Sequence, residues 1–196
     1  MRTEKRTGRG FMMLLGGIGA GIVGSRLLPP LMANMMGSKR ARAGGDPFAM
    51  LIDDHRQIRS FLDDMLDAPA DSTLRRSRLF LMLKRKLAKH AMAEEDVVYP
   101  IVNSHSGEND KPKHLYDEHA DMKILLYELE GKLKNREDWS STVRQLRHLI
   151  LRHVDEEEHS IFPQLRLQLS QERLPKVSGQ IAREEALIVQ NAGGDS

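Results

Sequence analysis

The feature that most constrains this chain is a pair of His-x-x-x-Glu motifs, His90 to Glu94 and His153 to Glu157. On an α-helix, residues four positions apart lie one above the other on the same face. In both copies this face also carries leucine and isoleucine at helical spacing. A buried ionised carboxylate needs a partner, because its transfer out of water costs several kcal/mol or more. The pattern therefore predicts two helices whose inward faces bind metal.

An internal repeat distinguishes the two motifs from chance pairs. His55 and His119 each lie on an apolar stripe about 35 residues before a motif. An aromatic-Pro pair follows each motif, and the two pairs lie 63 residues apart: Tyr99-Pro100 and Phe162-Pro163. A third pair at the same spacing, His114 and Glu118, has no counterpart, so we interpret it as coincidental. The duplicated register predicts one site made of six side chains: His55, His90, Glu94, His119, His153 and Glu157.

The apolar periodicity predicts an all-α fold. Four long helices are expected at about 47–67, 73–103, 113–134 and 141–169. Asp46 and Pro47 supply an N-cap and a first-turn proline for the first helix. Pro100 and Pro163 are expected to kink or end the second and fourth. Four helices with three short connections predict an up-down-up-down bundle, in which the inward faces meet and the six side chains converge.

Composition divides the chain into three regions. The first, 1–45, is a Gly-rich hydrophobic and basic extension, and the glycines at its end predict a flexible joint. The second, 46–169, is the predicted bundle, and the third, 170–196, is a tail. Within the tail, 181–189 has the pattern of a short accessory helix, which the sequence does not place.

The N-terminal extension has three interpretations. Its uncharged run, 11–25, is shorter than the roughly 20 residues that span a bilayer. Small residues at four-residue spacing around Gly17 and Gly21 nevertheless favour close helix packing in a membrane. The segment 11–36 is therefore interpreted as a membrane anchor or membrane-surface helix, as a cleaved signal, or as a flexible tail. The protein is accordingly expected to be cytoplasmic or membrane-associated through this segment.

Charge and cysteine content exclude several classes of site. The formal net charge is +2, and the basic N-terminal region accounts for much of the pI near 8.9, so no nucleic-acid partner is inferred. The chain has no cysteine, and therefore no disulfide, thiolate ligand or catalytic thiol. Imidazole and carboxylate donors suit iron, manganese or zinc.

These motifs resemble those of the hemerythrin-like HHE cation-binding family. The resemblance covers about 46–169. It implies a four-helix bundle that holds two non-haem iron ions, oxo- or hydroxo-bridged, although manganese or zinc fits the same donors. It further implies that the two glutamates bridge the irons and that the four histidines are terminal ligands: His55, His90, His119 and His153.

Two positions depart from the oxygen-carrying members of that family. Those proteins have a second histidine one turn after the third-helix histidine, where this chain has Lys123. They have an aspartate five residues after the fourth-helix histidine, where this chain has Glu158. Fewer histidines leave a more open and more reactive centre. This favours sensing or redox turnover over reversible oxygen carriage.

The leading functional hypothesis is a di-iron protein that binds dioxygen, peroxide or nitric oxide for sensing, storage or detoxification. The first alternative is an enzyme that turns over peroxide or nitric oxide, and the second is an iron-handling or structural helical protein. The sequence leaves open whether the protein is an enzyme, and its oligomeric state. His105 is expected in a loop and His148 and His159 off the ligand face, while Tyr99 and Phe162 are expected to close the bundle end.

Overall fold

The computed structural model describes residues 45–106 and 113–191, and within these ranges every regular element is a helix. The all-α fold predicted from the sequence is confirmed. The N-terminal segment 1–44 lies outside the described residues, together with the predicted membrane-associated stretch 11–36 and the connection 107–112. Among the helices that are described, none combines the length and the hydropathy needed to cross a membrane.

The first repeat forms three α-helices: α1 (Pro47–Leu66), α2 (Thr73–Ala93) and α3 (Tyr99–Ser106). Asp46 caps α1, because its Oδ1 accepts a hydrogen bond from the backbone N–H of Phe48 at 3.0 Å. A π-helical turn, π1 (Glu94–Val98), joins α2 to α3. His105 lies in the last turn of α3, so its predicted position in a loop was wrong.

The second repeat has the same design. It forms α4 (Lys113–Asn135), α5 (Ser140–Glu156) and α6 (Phe162–Gln168). A second π-helical turn, π2 (Glu157–Ile161), joins α5 to α6. Each π turn thus begins at the glutamate of a His-x-x-x-Glu motif, and such turns occur frequently at functional sites.

The interruption predicted at Pro100 and Pro163 takes the form of these wide turns, and the helices continue beyond them. Each proline is the second residue of the α-helix that follows a π turn. Proline has no N–H to donate, which is tolerated in the first turn of a helix but is costly in its interior. The π turn therefore restarts the helix at the point where proline is acceptable.

The helices form a closed ring in which α1 packs against α2 and α5, and α4 packs against the same two helices. This is the neighbour relation of an up-down-up-down bundle. Two apolar clusters fill it. One contains Leu62, Leu83 and Leu146, and the other contains Leu51 and Phe162 with the residues of α3. The histidines lie in a polar layer between the two clusters.

The C-terminal helix α7 (Leu174–Asn191) is longer than the predicted 181–189 and packs against α1, α2 and π1. Val177 and Ile181 are buried in the second apolar cluster. The hydroxyl of Ser178 donates a hydrogen bond to the backbone carbonyl of Gly45 at 2.5 Å. The helix is therefore part of the packed structure around the second cluster.

Candidate metal centre

Six buried side chains from α1, α2, α4, α5 and the two π turns converge between the apolar clusters. They are His55, His90, Glu94, His119, His153 and Glu157, and each is at most 3% exposed. Their donor atoms form two overlapping groups, within each of which all atoms lie within 4.8 Å of one another. The structure therefore brings together all six residues that the sequence predicted as ligands.

The two groups define two positions at which a metal ion could be held. At the first position, Nε2 of His55 lies 2.9 Å from Nε2 of His90. At the second position, Nε2 of His119 lies 3.1 Å from Nε2 of His153. Two nitrogens at about 2.1 Å from one ion, at a right angle, are about 3 Å apart. Both spacings therefore suit a pair of imidazoles on one ion.

The two glutamates lie between these positions. Glu94 places Oε1 3.1 Å from Nε2 of His90 and Oε2 3.5 Å from Nε2 of His119. Glu157 places Oε2 3.3 Å from Nε2 of His55 and Oε1 3.4 Å from Nε2 of His153. Each carboxylate thus directs one oxygen toward each position, which is the arrangement of a bridging ligand.

The outer nitrogens of three of the four histidines are hydrogen-bonded to carboxylates. Nδ1 of His55 lies 2.8 Å from Glu158, Nδ1 of His119 lies 3.0 Å from Glu95, and Nδ1 of His153 lies 2.8 Å from Glu118. An ionised carboxylate only accepts hydrogen bonds, so each Nδ1 must donate. The Nε2 of each neutral ring is then left as a lone pair that faces the centre.

His90 has a weaker outer contact. Its Nδ1 lies 4.0 Å from Oδ2 of Asp54, and neither atom has a hydrogen-bond partner among the described residues. Asp54 pairs instead with Lys86, which reaches its other carboxylate oxygen. The aspartate side chain is one methylene shorter than the glutamate that occupies the equivalent position in the second repeat, and the distance reflects this.

A cation lies beside each of the four outer carboxylates. The pairs are Lys86 with Asp54, Arg59 with Glu158, Lys123 with Glu95, and Arg152 with Glu118. Six carboxyl groups therefore face four cations, so even with a proton on one of them the shell lacks positive charge when the histidines are neutral. Lys123, which replaces the additional histidine of oxygen carriers, lies 63% exposed and points to this outer shell.

The four outer carboxylates contact the histidines both within a repeat and across the two repeats. Asp54 and Glu118 each precede a histidine of their own repeat and face the other histidine of that repeat. Glu95 and Glu158 each follow a bridging glutamate and hold a histidine of the opposite repeat. Such outer partners fix the tautomer and orientation of metal-binding histidines.

Several buried polar atoms in the centre have no partner. Both oxygens of Glu94 and Oε2 of Glu157 make no hydrogen bond with any described residue. Buried polar atoms are nearly always paired, so these carboxylate oxygens fit a cation-binding site. The facing Nε2 lone pairs lead to the same conclusion, and the residues fit a pair of metal ions.

In the metal-free protein, the pKa values of the two glutamates are shifted in opposite directions. Burial and the neighbouring charge of Glu157 hold the pKa of Glu94 well above its ordinary value. Burial opposes ionisation of Glu157 too, but His153 and His55 outweigh it and hold the pKa of that carboxyl well below its usual range. Burial and His55 also lower the pKa of His90. Without metal, the pair of carboxyls therefore keeps a proton on Glu94.

Tyr99 contributes directly to the centre, so the expectation that it only closes the bundle end was wrong. Its hydroxyl donates to Oε1 of Glu157 at 2.9 Å and lies 3.2 Å from Nε2 of His119. The backbone N–H of Tyr99 bonds to the carbonyl of Glu94 across π1. This i→i+5 bond brings Tyr99 above Glu94, five positions earlier, whereas an α-helix would turn it away.

Phe162 has the matching place in the second repeat. Its backbone N–H bonds to the carbonyl of Glu157 across π2. Its ring stacks against His55 at a centroid distance of 6.0 Å and an interplanar angle of 10°. The first position therefore has an apolar ring where the second position has a phenol.

The remaining histidines lie outside the centre. His148 is exposed on α5, and the exposed His159 bonds to Asp155 on its own helix. His114 pairs with Glu156 at 2.9 Å, while Glu118 holds His153, so the spacing of His114 and Glu118 has no structural role of its own. Sequence reasoning missed Glu118 as a functional residue, although its alignment with Asp54 in the repeat was a usable signal.

Comparison with known proteins places the chain in a family. The family model described as the hemerythrin HHE cation binding domain matches residues 32–165. A protein of Nostoc sp. (strain PCC 7120) named DNA nickase is 34% identical over 117 residues, covering 60% of this chain and 33% of that protein. An uncharacterised hemerythrin-like protein of Schizosaccharomyces pombe is 28% identical over 138 residues, covering 69% of this chain and 66% of that protein.

The chain thus spans one third of the Nostoc protein and just under two thirds of the yeast protein. No solved structure matches it. The segment matched by the family model includes all six converging side chains. On this match and this geometry, the chain belongs to the hemerythrin family of HHE cation-binding domains.

Proposed function

We propose that this protein is a non-haem di-iron protein that binds dioxygen or a related small oxidant such as peroxide or nitric oxide. The four histidines would be terminal ligands, His55 and His90 at the first position and His119 and His153 at the second. The bridging ligands would be Glu94 and Glu157. Its role would be sensing, storage or detoxification of the bound molecule.

One observation carries the proposal of two ions. At the second position both outer nitrogens donate to carboxylates, Glu95 and Glu118, so two Nε2 lone pairs face each other at 3.1 Å. Two such lone pairs repel unless a proton or a metal ion lies between them. Oxygens of both bridging carboxylates extend toward this position and toward the first, where His55 and His90 repeat the arrangement.

The donor set supports iron as the metal. Four imidazole nitrogens and two carboxylates suit iron, manganese or zinc better than metals that prefer sulfur. When bound, a redox-active pair with open coordination positions supplies the electrons and the free sites that an oxidant requires. Metal binding must displace the proton that Glu94 holds, because a bridging carboxylate binds in its ionised form.

The side chains around the second position favour binding of a polar ligand. The hydroxyl of Tyr99 lies beside Glu157 and His119, and its single donor hydrogen could turn from Glu157 to a small oxygen-containing ligand bound there. Tyr99 is itself part of the second apolar cluster with Phe162 and Val98, and all three side chains are buried away from water. The first position, faced by Phe162, has no comparable donor among the described residues.

Metal analysis of protein purified without oxygen tests the proposal. We expect two irons per chain and a visible charge-transfer band that changes on exposure to air or azide. In His153→Ala, iron content and band should fall sharply. His148→Ala is the matched control, because this exposed histidine on the same helix should leave both unchanged. Protein that binds no iron, or that binds it equally well in His153→Ala, would contradict the proposal.

A second candidate is enzymatic turnover of peroxide or nitric oxide at the same centre. The observation that favours it is the buried Tyr99 hydroxyl, which places a proton donor at one of the two positions. Multiple turnovers with a supplied reductant, lost in Glu157→Ala, would support it. Stoichiometric binding without turnover would favour the leading proposal. The name of the Nostoc relative supports no proposal about DNA, because the chain matches only 33% of that protein.

A further inference from the structure

An open groove of about 530 Å³ lies between α2 and α4. Its floor consists of buried side chains from the first apolar cluster: Leu87, Met122 and Leu126. Its walls include Met92, which is 40% exposed, and Tyr127, which is 81% exposed. A mainly apolar concavity of this size is in the range of small-molecule sites.

The groove extends to the metal centre. His119 and Glu95 both line it, so an occupant would contact a histidine of the second position and the carboxylate that holds it. Lys123 lies on the same side and pairs with the same oxygen of Glu95 at 3.1 Å. The groove thus joins an apolar floor to a polar end one side chain away from the candidate ion.

Comparison of the repeats shows that the residue differences between them favour this groove. The small residues Ala88 and Ala91 line it, and the equivalent residues of the second repeat, 63 positions later, are Leu151 and Val154. Ala91 is half-buried, whereas its equivalent Val154 is 1% exposed and packed in the core.

The polar end sets the chemistry of an occupant. Oε1 of Glu95 accepts hydrogen bonds from His119 and Lys123, while its Oε2 has no hydrogen-bond partner among the described residues. Asp96 and Glu130 also line the groove, so its acidic residues outnumber Lys84 and Lys123. An anion is disfavoured by this balance. The apolar floor disfavours a hydrated cation, so a neutral molecule with a hydroxyl donor is complementary to the groove as a whole.

We propose that the groove binds a planar aromatic alcohol of the naphthol or hydroquinone class. The ring would lie on the floor beside Met92 and Tyr127, with which it makes sulfur–aromatic and aromatic contacts. The hydroxyl would donate to Oε2 of Glu95. The two alanines leave room for a ring where leucine and valine would fill it.

Occupancy of the groove is coupled to the second position. A ligand hydroxyl on Glu95 competes with His119 for the charge of that carboxylate and so changes the basicity of the histidine. This coupling, unlike the binding itself, rests on the proposed metal centre. By reciprocity, metal and ligand change each other's affinity by the same factor.

Methyl NMR of the full chain, labelled at the methionine methyl groups, tests binding directly. The probe is 2-naphthol, titrated into metal-free and zinc-loaded protein. We expect saturable shifts of the Met92 and Met122 methyl signals, and nuclear Overhauser contacts from both methyls to the naphthol ring. The double variant Ala88→Leu/Ala91→Val should weaken binding by about tenfold or more. Ala120→Leu, an exposed alanine outside the groove on α4, should bind as the parent does.

Several outcomes would overturn the inference. Naphthol that shifts neither methyl, or that binds the double variant as tightly as the parent, excludes the site. Concentration-dependent shifts at the same methyls without naphthol would assign the groove to a second copy of the chain instead. If the double variant does not fold, the nuclear Overhauser contacts in the parent decide. Naphthol binding with no change in zinc affinity overturns the coupling. A chain that binds no metal refutes the proposed function, while the metal-free titration still decides the groove.

Discussion

The first position, with His55 and His90, and the second, with His119 and His153, are built from the same parts. In both, one histidine comes from an uninterrupted helix and the other from the last turn before a π segment. They differ in the atoms just behind the ligands. The first has Asp54 and the ring of Phe162, and the second has a glutamate and a tyrosine hydroxyl. The shared parts are those that could hold ions, and the different parts make the two positions chemically unequal.

Removal of one bridging carboxylate should have the largest effect, because it affects both positions. We expect Glu157→Ala to lose most of its iron and most of the thermal stabilisation that metal provides. Loss of a structural metal removes its binding free energy from the folding free energy. Iron analysis and thermal unfolding with and without metal measure this. Glu156→Gln, at the adjacent half-buried position, is the control and should keep both ions.

Substitution of the other bridging carboxylate, Glu94, should raise the stability of the metal-free protein. The folded pKa of Glu94 is raised by burial and by Glu157, so its contribution to stability is present below the unfolded pKa of about 4.3 and is lost as pH rises through the folded value. Glu94→Gln should therefore stabilise the metal-free protein at neutral pH by about 1–3 kcal/mol while it abolishes bridging. Urea unfolding at several pH values measures this. A variant less stable than the parent at pH 8 would contradict it.

Exchange of the outer carboxylates should next make the two positions more alike. Glu118→Asp shortens the side chain, so its contact to His153, now 2.8 Å, should lengthen, and metal binding at the second position should weaken by about 10- to 100-fold. Asp54→Glu should strengthen the first position, because the longer side chain can reach Nδ1 of His90. Competition with a chelator measures both affinities. Equal effects of the two variants in the same direction would refute the asymmetry.

Removal of one oxygen should have the smallest effect. Tyr99→Phe places a phenyl ring at both positions, so the Mössbauer signals of the two irons should become more similar. Azide affinity should fall by about tenfold, the value of one hydrogen bond of about 1.4 kcal/mol. Phe162→Tyr is the matched opposite change. Unaltered spectra and azide affinity in Tyr99→Phe would show that the hydroxyl does not act on bound ligand.

The six converging residues were predictable because helical periodicity and the duplicated register are both written in the sequence. Tyr99 was not, because an α-helical projection turns a residue five positions after Glu94 away from the site. Only the π turn returns it, and the sequence pattern did not predict that turn. The pairing of Glu95 with His119 depends on which helices are neighbours, so it required the fold.

The surface against which α7 packs could not be predicted from the sequence either. Its apolar residues predict a helix, but periodicity shows that a face is buried without showing against which surface. The groove between α2 and α4 has the same character. Ala88 and Ala91 are ordinary helix formers. That their small side chains leave a groove open can be seen only when the residues of the neighbouring helix are known.

The crossing of Glu95 and Glu158 has a consequence for the origin of the molecule. Each helical hairpin supplies two imidazoles for one ion but depends on the other hairpin to orient one of them. A solitary ancestral hairpin would have had neither a complete cage nor a rigid one. Such a hairpin could have bound metal only as a homodimer. A later fusion of two gene copies would then have joined in one chain two halves that already had to associate.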